Sequence, residues 1–106
     1  MTDITNIILI TSMDDGAWAN SDHGNADILY EYLRTNYRGE SLTKVDHHGG
    51  GNKGMTCDIF MAGIDYIDKD KLIEKFNSIQ WDRPEKVQLL IKGRKDDVFS
   101  VYRPKT

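Results

Sequence analysis

The sequence has a single cysteine, no long apolar run and no excess of basic residues. These shortages argue against an internal disulfide, a transmembrane helix and a general attraction to nucleic acid. Cys57 stands alone and cannot form a disulfide within the chain. The longest apolar run is IILI, whereas a transmembrane helix needs roughly 20 apolar residues. The first residues lack the basic start and the small-residue cleavage site of a signal peptide. These shortages predict a cytoplasmic protein without a membrane span or a disulfide.

The charge balance argues against nucleic acid as a partner. The chain has 14 basic and 17 acidic residues, which gives a net charge of −3. Such a balance provides no general attraction to a phosphate backbone. The length of 106 residues, with 39% hydrophobic residues, is typical of one domain over 1–106 that folds without a metal or other cofactor.

Hydrophobic periodicity predicts the strands. Residues 5–12 (TNIILITS) are β-branched and bounded by polar residues, which is typical of a strand buried on both faces. Residues 56–67 (TCDIFMAGIDYI) are apolar at both parities and predict a second interior strand. Weaker patterns predict an edge strand over 41–48 and a terminal hairpin formed by 86–92 and 98–102.

Two helices are predicted between these strands. Residues 26–37 place apolar side chains at helical spacing, and Gly39 follows as a C-terminal stop. Asp68 is the predicted N-cap of the second helix. The segment 81–85 (WDRPE) ends that helix, because proline disfavours the helical conformation in Arg83. The apolar stripe of the second helix consists of Leu72, Ile73, Phe76 and Ile79.

The predicted element order is β-α-β-β-α-β with an additional C-terminal strand. This is the pattern of a ferredoxin-like α+β sandwich, with a mainly antiparallel sheet and two helices on one face. That topology puts the first and third strands in the middle of the sheet, and these are the most apolar strands. An α+β arrangement with another strand order is the alternative.

The stretch 45–58 (VDHHGGGNKGMTCD) combines adjacent histidines, consecutive glycines and the lone cysteine. In the predicted topology, the loop after the first strand, the turn after the second strand and the end of the second helix share one end of the sheet. We therefore expect an acidic and aromatic rim at that end. Its predicted binding residues are Asp14, Asp15, Trp18, Asp22, His23, His47, His48, Lys53, Trp81 and Arg83.

A metal ion is one interpretation of this rim. His23, His47 or His48, together with Asp15, would supply the nitrogen and oxygen ligands that zinc accepts. Neighbouring residues of a strand point to opposite faces, so His47 and His48 can share an ion only where the strand has ended. Surface or capping roles for these side chains are the alternative.

Phosphate binding and nucleophilic catalysis have weaker support. The turn 49–54 (GGGNKG) contains Lys53 but does not end in the Gly-Lys-Ser/Thr of a phosphate loop. A flexible turn accounts for the glycines equally well, because glycine accepts positive φ. Cys57 lies in an apolar run, where a lone cysteine is usually a small core residue. The sequence does not single out any serine or cysteine, with a histidine and an aspartate, as a catalytic triad.

The second face of the sheet also needs a partner. Both parities of the interior strands are apolar, so helices on one face would leave an apolar row on the other. A homodimer formed through the open sheet face is the simplest cover, because two-fold dimers are the commonest oligomers. Coverage by the terminal hairpin, a second protein or a small ligand is the alternative.

These features favour a non-catalytic binding protein that holds a protein partner. Tryptophan and arginine are enriched at binding hot spots, and the rim aspartates, with Asp82, would complement a cationic partner. In size, charge and composition the chain resembles the immunity proteins that neutralise basic nuclease toxins in bacteria, although it carries no family motif. The alternatives are a small metal-binding protein or hydrolytic enzyme that uses the Asp/His loops, and a dimeric small-ligand-binding domain.

Overall fold

The computed structural model describes residues 3–13, 15, 24–45 and 55–104. Within them the chain is α+β, with a five-stranded antiparallel sheet and two α-helices. The strands lie in the order β2-β3-β1-β4-β5. The elements are β1 (Ile4–Ser12), α1 (Ala26–Asn36), β2 (Thr43–Lys44), β3 (Cys57–Asp65), α2 (Lys69–Ser78), a 3-10 turn (Pro84–Lys86), β4 (Gln88–Lys92) and β5 (Ser100–Tyr102).

The central strand is β1, as its apolar pattern predicts, and it pairs with β3 on one side and β4 on the other. Leu9 lies opposite Phe60 of β3 and Leu89 of β4, and all three are buried. Side chains alternate between the two faces of a strand, so Leu9, Phe60 and Leu89 point to the same face of the sheet. This is the face that the helices cover. Both helices contribute to the same buried cluster, with residues such as Leu29 of α1 and Phe76 of α2.

The helix ends follow the predicted signals. The Asp68 carboxylate accepts a hydrogen bond from the backbone N–H of Lys71 at 3.2 Å, which confirms the predicted N-cap of α2. At the end of α1, Gly39 has φ of 82° and donates its N–H to the Arg34 carbonyl at 3.0 Å. A glycine in this left-handed conformation is the usual way to end a helix.

Four strands are shorter than the periodicity predicts, and one of them is β4, which begins at Gln88 rather than at residue 86. The pairing of β2 covers two residues, although the next N–H, from Val45, still donates to the Ile59 carbonyl at 2.8 Å. β5 begins at Ser100 rather than at residue 98. β3 ends at Asp65, because Tyr66 takes a left-handed conformation with φ of 57° that no strand can contain.

One face of the sheet lies opposite the helices and is mostly apolar. Of the two rows that the sequence offers for this face, it is the Cys57, Ile59 and Met61 row of β3 that points away from the core, and Met61 is 46% exposed. β5 pairs with β4 in the plane of the sheet, so the terminal strand extends the sheet at its edge. Phe99, in the connection that precedes β5, lines a recess on this face together with Ile8 and Met61, so the terminal hairpin reaches part of the face while β5 itself does not.

Neither helix in the described part of the chain has the length and apolar character needed to cross a bilayer.

Candidate functional site

The buried polar residues in the described part of the chain gather at one end of the sheet. Thr11 and Ser12 end β1, where they pair with Asp58 and Cys57 at the start of β3. Asp15 follows β1 closely, and Thr11, Ser12, Asp15 and Asp58 are all buried. Burying polar groups is costly unless they are hydrogen-bonded. We call this end of the sheet the Asp15 pole.

The Asp15 carboxylate is the centre of this pole. Its side chain is 0% exposed, and it accepts backbone N–H bonds from Asp82 at 2.8 Å and from Arg83 at 3.0 Å. It also accepts the amide of Asn25 at 2.6 Å and the hydroxyl of Ser12 at 3.3 Å. Hydrogen bonds to an ionised carboxylate are stronger than those between neutral groups. All four donors come from the protein itself.

The backbone of Asp15 adds to this network. Its N–H donates to the Ser12 carbonyl at 3.2 Å, and its carbonyl accepts from the N–H of Ala26 at 3.0 Å. One residue thereby joins the end of β1, the start of α1 and the connection between α2 and β4. The predicted convergence of the segment after β1 with the segment after α2 is confirmed.

Trp81 is the aromatic residue of this pole. Its ring packs against Phe76 with centroids 5.6 Å apart, and its Nε1–H donates to the Phe76 carbonyl at 3.3 Å. With 7% of its surface exposed, Trp81 belongs to the core. Asp82 and Arg83, which follow it, are exposed. The structure therefore shows Trp81 packed at the helix end, while the exposed positions of the connection are its neighbours.

Asp58 is a buried carboxylate that sequence reasoning did not select. It lies 3.6 Å from the Lys44 ammonium, and its side chain is 3% exposed. Because the strand around it is apolar, Asp58 looks like an exposed polar position until the sheet register places it opposite Thr11 on the covered face. Lys44 of the neighbouring strand β2 is the sequence signal that could have identified Asp58 as buried, because a buried carboxylate needs an oppositely charged partner.

Several predicted rim residues lie outside the described residues: Asp14, Trp18, Asp22, His23, His47, His48 and Lys53. The chain on either side of these segments is described. Asn25 bonds to Asp15, and Cys57 pairs with Ser12, so the flanks of both polar segments lie at the Asp15 pole.

The metal prediction also depends on these histidines. Across residues 3–13, 15, 24–45 and 55–104, no three His, Cys, Asp or Glu side chains are grouped so that they could hold a metal ion. Asp15, the described metal candidate, already accepts hydrogen bonds on both carboxylate oxygens. The prediction for His23, His47 and His48 stays a prediction.

Two ionisable groups on the helices have raised pKa values. Burial raises the pKa of the Tyr32 phenol, and the neighbouring Tyr37 adds to the shift. A hydrogen bond with Tyr102 raises the pKa of Lys69, while burial opposes the shift. The Lys69 ammonium lies 5.7 Å from the centroid of the Tyr102 ring, within the range of a cation–π interaction.

No protein-family model, curated protein or solved structure matches this chain.

Proposed function

We propose that this chain is a non-catalytic binding protein that holds a cationic protein partner at the Asp15 pole, in the manner of an immunity-type inhibitor of a bacterial toxin. The observation that carries the proposal is the Asp15 network, in which one carboxylate accepts four hydrogen bonds from three parts of the chain. The network holds the backbone of Asp82 and Arg83, and groups that are fixed before binding lose less entropy on binding.

The chemistry of the described groups at this pole favours binding over catalysis. A general base must have an oxygen or nitrogen that can reach a substrate proton. The Asp15 carboxylate is buried with its acceptors in use, and the Trp81 N–H is bonded to the backbone. These groups stabilise the scaffold, and contacts with a partner would fall to the exposed Asp82 and Arg83.

The predicted residues of the flanking segments would complete this surface. Under this proposal Trp18 is an aromatic anchor, and the aspartates speed the encounter with a basic partner. A metal-binding or hydrolytic role for the same segments is the competing proposal. The remaining members of the proposed surface are Asp14, Asp22, His23, His47, His48 and Lys53.

We further propose that the architecture is ferredoxin-like. The support is the central position of β1 between β3 and β4, together with helices that pack into one buried cluster. In this interpretation β5 is an addition at the edge beside β4.

Affinity capture from the native cell tests the binding role. The wild-type chain is compared with the double variant Asp14→Asn/Asp22→Asn and with Asp70→Asn/Glu74→Gln on α2, which removes the same charge elsewhere. We expect wild type and the α2 control to retain one stoichiometric basic protein. The rim variant should bind the purified partner about tenfold more weakly, mainly through slower association. Equal retention by all three chains, or no stoichiometric partner, would contradict the proposal.

The open sheet face supports a second, separate proposal, a homodimer of this chain. β1 and β3 have nine residues each, whereas β4, β5 and β2 have five, three and two, so at about 3.4 Å per residue and 4.8 Å between strands the face is on the order of 450 Å². Two copies packed face to face would bury about 900 Å², the size of a weak interface. Ile59 and Met61 lie on this face, and the latter is 46% exposed.

Sedimentation equilibrium decides whether this dimer forms. Met61→Glu puts a charge in the middle of the face, and Ile28→Glu puts the same charge at a 42% exposed position of α1. We expect wild type and Ile28→Glu to be dimers and Met61→Glu to be a monomer. A wild-type chain that stays monomeric at about 100 µM would rule out a functional dimer.

A further inference from the structure

A recess opens at the end of the sheet opposite the Asp15 pole. It has a volume of about 460 Å³ and lies between the end of α1, the residues that follow it and the end of β3. None of its residues belongs to the proposed partner surface. They are Asn36, Tyr37, Arg38, Glu40, Asp65 and Tyr66.

The Asp65 carboxylate is incompletely satisfied in this recess. Its Oδ1 exposes less than 1 Å² and has no hydrogen-bond partner within the described part of the protein. A buried acceptor without a donor destabilises the fold, and more so when it carries charge. Because Oδ1 is closed off from solvent, a group in the recess meets the carboxylate through its other oxygen, or through Oδ1 after the side chain turns about χ2.

The backbone of the recess is unusual as well. Arg38 and Tyr66, each with φ of 57°, are the non-glycine residues with positive φ among those described, and both line the recess. Arg38 belongs to the turn that ends α1, which explains its conformation. Tyr66 follows a strand and has no such role. Strain of this kind persists mainly at functional sites.

The tyrosine conformation has a clear consequence for the surface. Tyr66 donates its N–H to the Asp3 carbonyl at 3.1 Å, which holds the turn, and its side chain remains 65% exposed. Tyr37 contributes a second, half-buried ring, whose hydroxyl accepts the N–H of Asp68 at 3.1 Å. Two aromatic rings and an unsatisfied carboxylate therefore meet in one recess.

The charges of the recess select the ligand. Asp65 and Glu40 are acidic and Arg38 is basic, so the recess carries one excess negative charge. Aromatic rings beside a carboxylate attract cations. Among cations, guanidinium is planar, stacks on aromatic faces and donates paired N–H bonds to a carboxylate, whereas an ammonium is a compact and strongly hydrated charge.

We propose that this recess binds a guanidinium group, with the Asp65 carboxylate accepting its N–H donors and the Tyr66 ring stacking on its plane. The guanidinium comes from an arginine side chain of a peptide or from a free small guanidine. This site is independent of the partner surface at the Asp15 pole, and each can fail without the other.

Two-dimensional amide NMR titrations of the intact chain test the site. The probes are methylguanidine, methylammonium and a capped Gly-Arg-Gly peptide, each at concentrations up to about 10 mM. We expect saturable shifts around Asp65 and Tyr66 with both guanidinium probes, and at least tenfold weaker binding of methylammonium. A peptide that binds about tenfold more tightly than methylguanidine identifies an arginine side chain as the source, and equal affinity identifies a free guanidine.

Matched variants connect the binding to the recess. Asp65→Asn keeps the shape and removes the charge, and Tyr66→Ala removes the ring. We expect each to weaken guanidinium binding about tenfold, while Asp70→Asn, an exposed acidic position on α2, leaves it unchanged. Amide dispersion in the same spectra verifies that each variant is folded. Absence of saturable binding to wild type, equal affinity for methylammonium, or unchanged binding by both recess variants would overturn the proposal.

Discussion

Two aspartates mark the two ends of the central strand, and their surroundings differ sharply. Asp15, just beyond the end of β1, is fully buried and accepts four hydrogen bonds from the chain. Asp65, which pairs with Ile4 at the start of β1, has a buried oxygen without a donor in the described part of the chain. The first carboxylate stabilises the fold, and the second lines the recess for which we propose a ligand.

The contrast between Asp15 and Asp65 distinguishes a carboxylate that stabilises the fold from one that we propose binds a ligand. A carboxylate that accepts hydrogen bonds from backbone N–H groups and neighbouring side chains holds segments together and has little left for a ligand. A carboxylate with a buried oxygen that lacks a donor, beside a left-handed tyrosine, lowers stability where it stands. Mutations at the two ends should therefore affect stability to very different extents.

The largest effect is expected from replacing the two aspartates by alanine. Asp15→Ala leaves the N–H groups of Asp82 and Arg83 without their acceptor and should lower the free energy of unfolding by about 3–5 kcal/mol. Asp65→Ala should change it by less than about 1 kcal/mol, because no described donor to Oδ1 is lost. Urea unfolding measures both values, and equal destabilisation would remove the contrast.

The next effect concerns the left-handed residues near the recess. Tyr66→Gly and Tyr66→Ala both remove the ring, and the glycine variant should be the more stable of the two by about 1 kcal/mol because φ there is 57°. Gly39→Ala is the opposite change, since φ there is 82°, and it should destabilise by about 1 kcal/mol. A Cβ at Gly39 meets no atom within 4 Å, so its cost is purely conformational. Thermal unfolding of these variants checks the signs, and a Tyr66→Gly chain that is no more stable than Tyr66→Ala would show that the backbone there is unstrained.

A comparable effect is expected at the N-terminus of α2. Asp68→Ala removes the acceptor of the Lys71 N–H and should cost about 1 kcal/mol. Asp68→Ser keeps a capping oxygen and should recover most of that loss. Urea midpoints that are the same for alanine and serine would show that the cap contributes nothing beyond helix propensity.

The smallest effect is an alkaline loss of stability. The pKa values of Tyr32 and Lys69 are both raised above their ordinary 10.0 and 10.5, the first mainly by burial and the second mainly by the hydrogen bond with Tyr102. A raised pKa contributes stability that is complete below the ordinary value and is lost as the pH rises through the folded value. Wild type should therefore lose more stability above about pH 10 than Tyr32→Phe/Lys69→Met. If the free energy of unfolding depends on pH in the same way for both chains, the raised pKa values of Tyr32 and Lys69 are not the cause of the alkaline loss.

The parts of the fold that were predictable depend on local patterns. The apolar runs of β1 and β3 identify them as interior strands, and Asp68 caps α2 as its position before the apolar stripe indicates. The ends of strands were less predictable. Nothing in the letters DYI shows that Tyr66 turns left-handed and ends β3, because that turn is set by the contact with the Asp3 carbonyl, far away in the chain.

The candidate sites were predictable only in part. Topology brings Asp15 and the connection after α2 together, as expected from the handedness of the crossover. The sequence marks Asp15 as a rim residue, however, and does not distinguish Asp58 and Asp65 from exposed acidic residues. Their roles differ because one meets backbone donors, one meets Lys44 across the sheet, and one has an oxygen that meets no described donor.

The sequence alone determined the class of this protein: an α+β chain with two apolar interior strands, a capped second helix and a sheet with apolar residues on both faces. These properties follow from side-chain periodicity and local hydrogen bonding, which act over a few residues. The tertiary structure alone decided which carboxylates are satisfied and where a recess forms. Those outcomes depend on donors and rings contributed by residues far apart in the chain, which become neighbours only when the sheet is assembled.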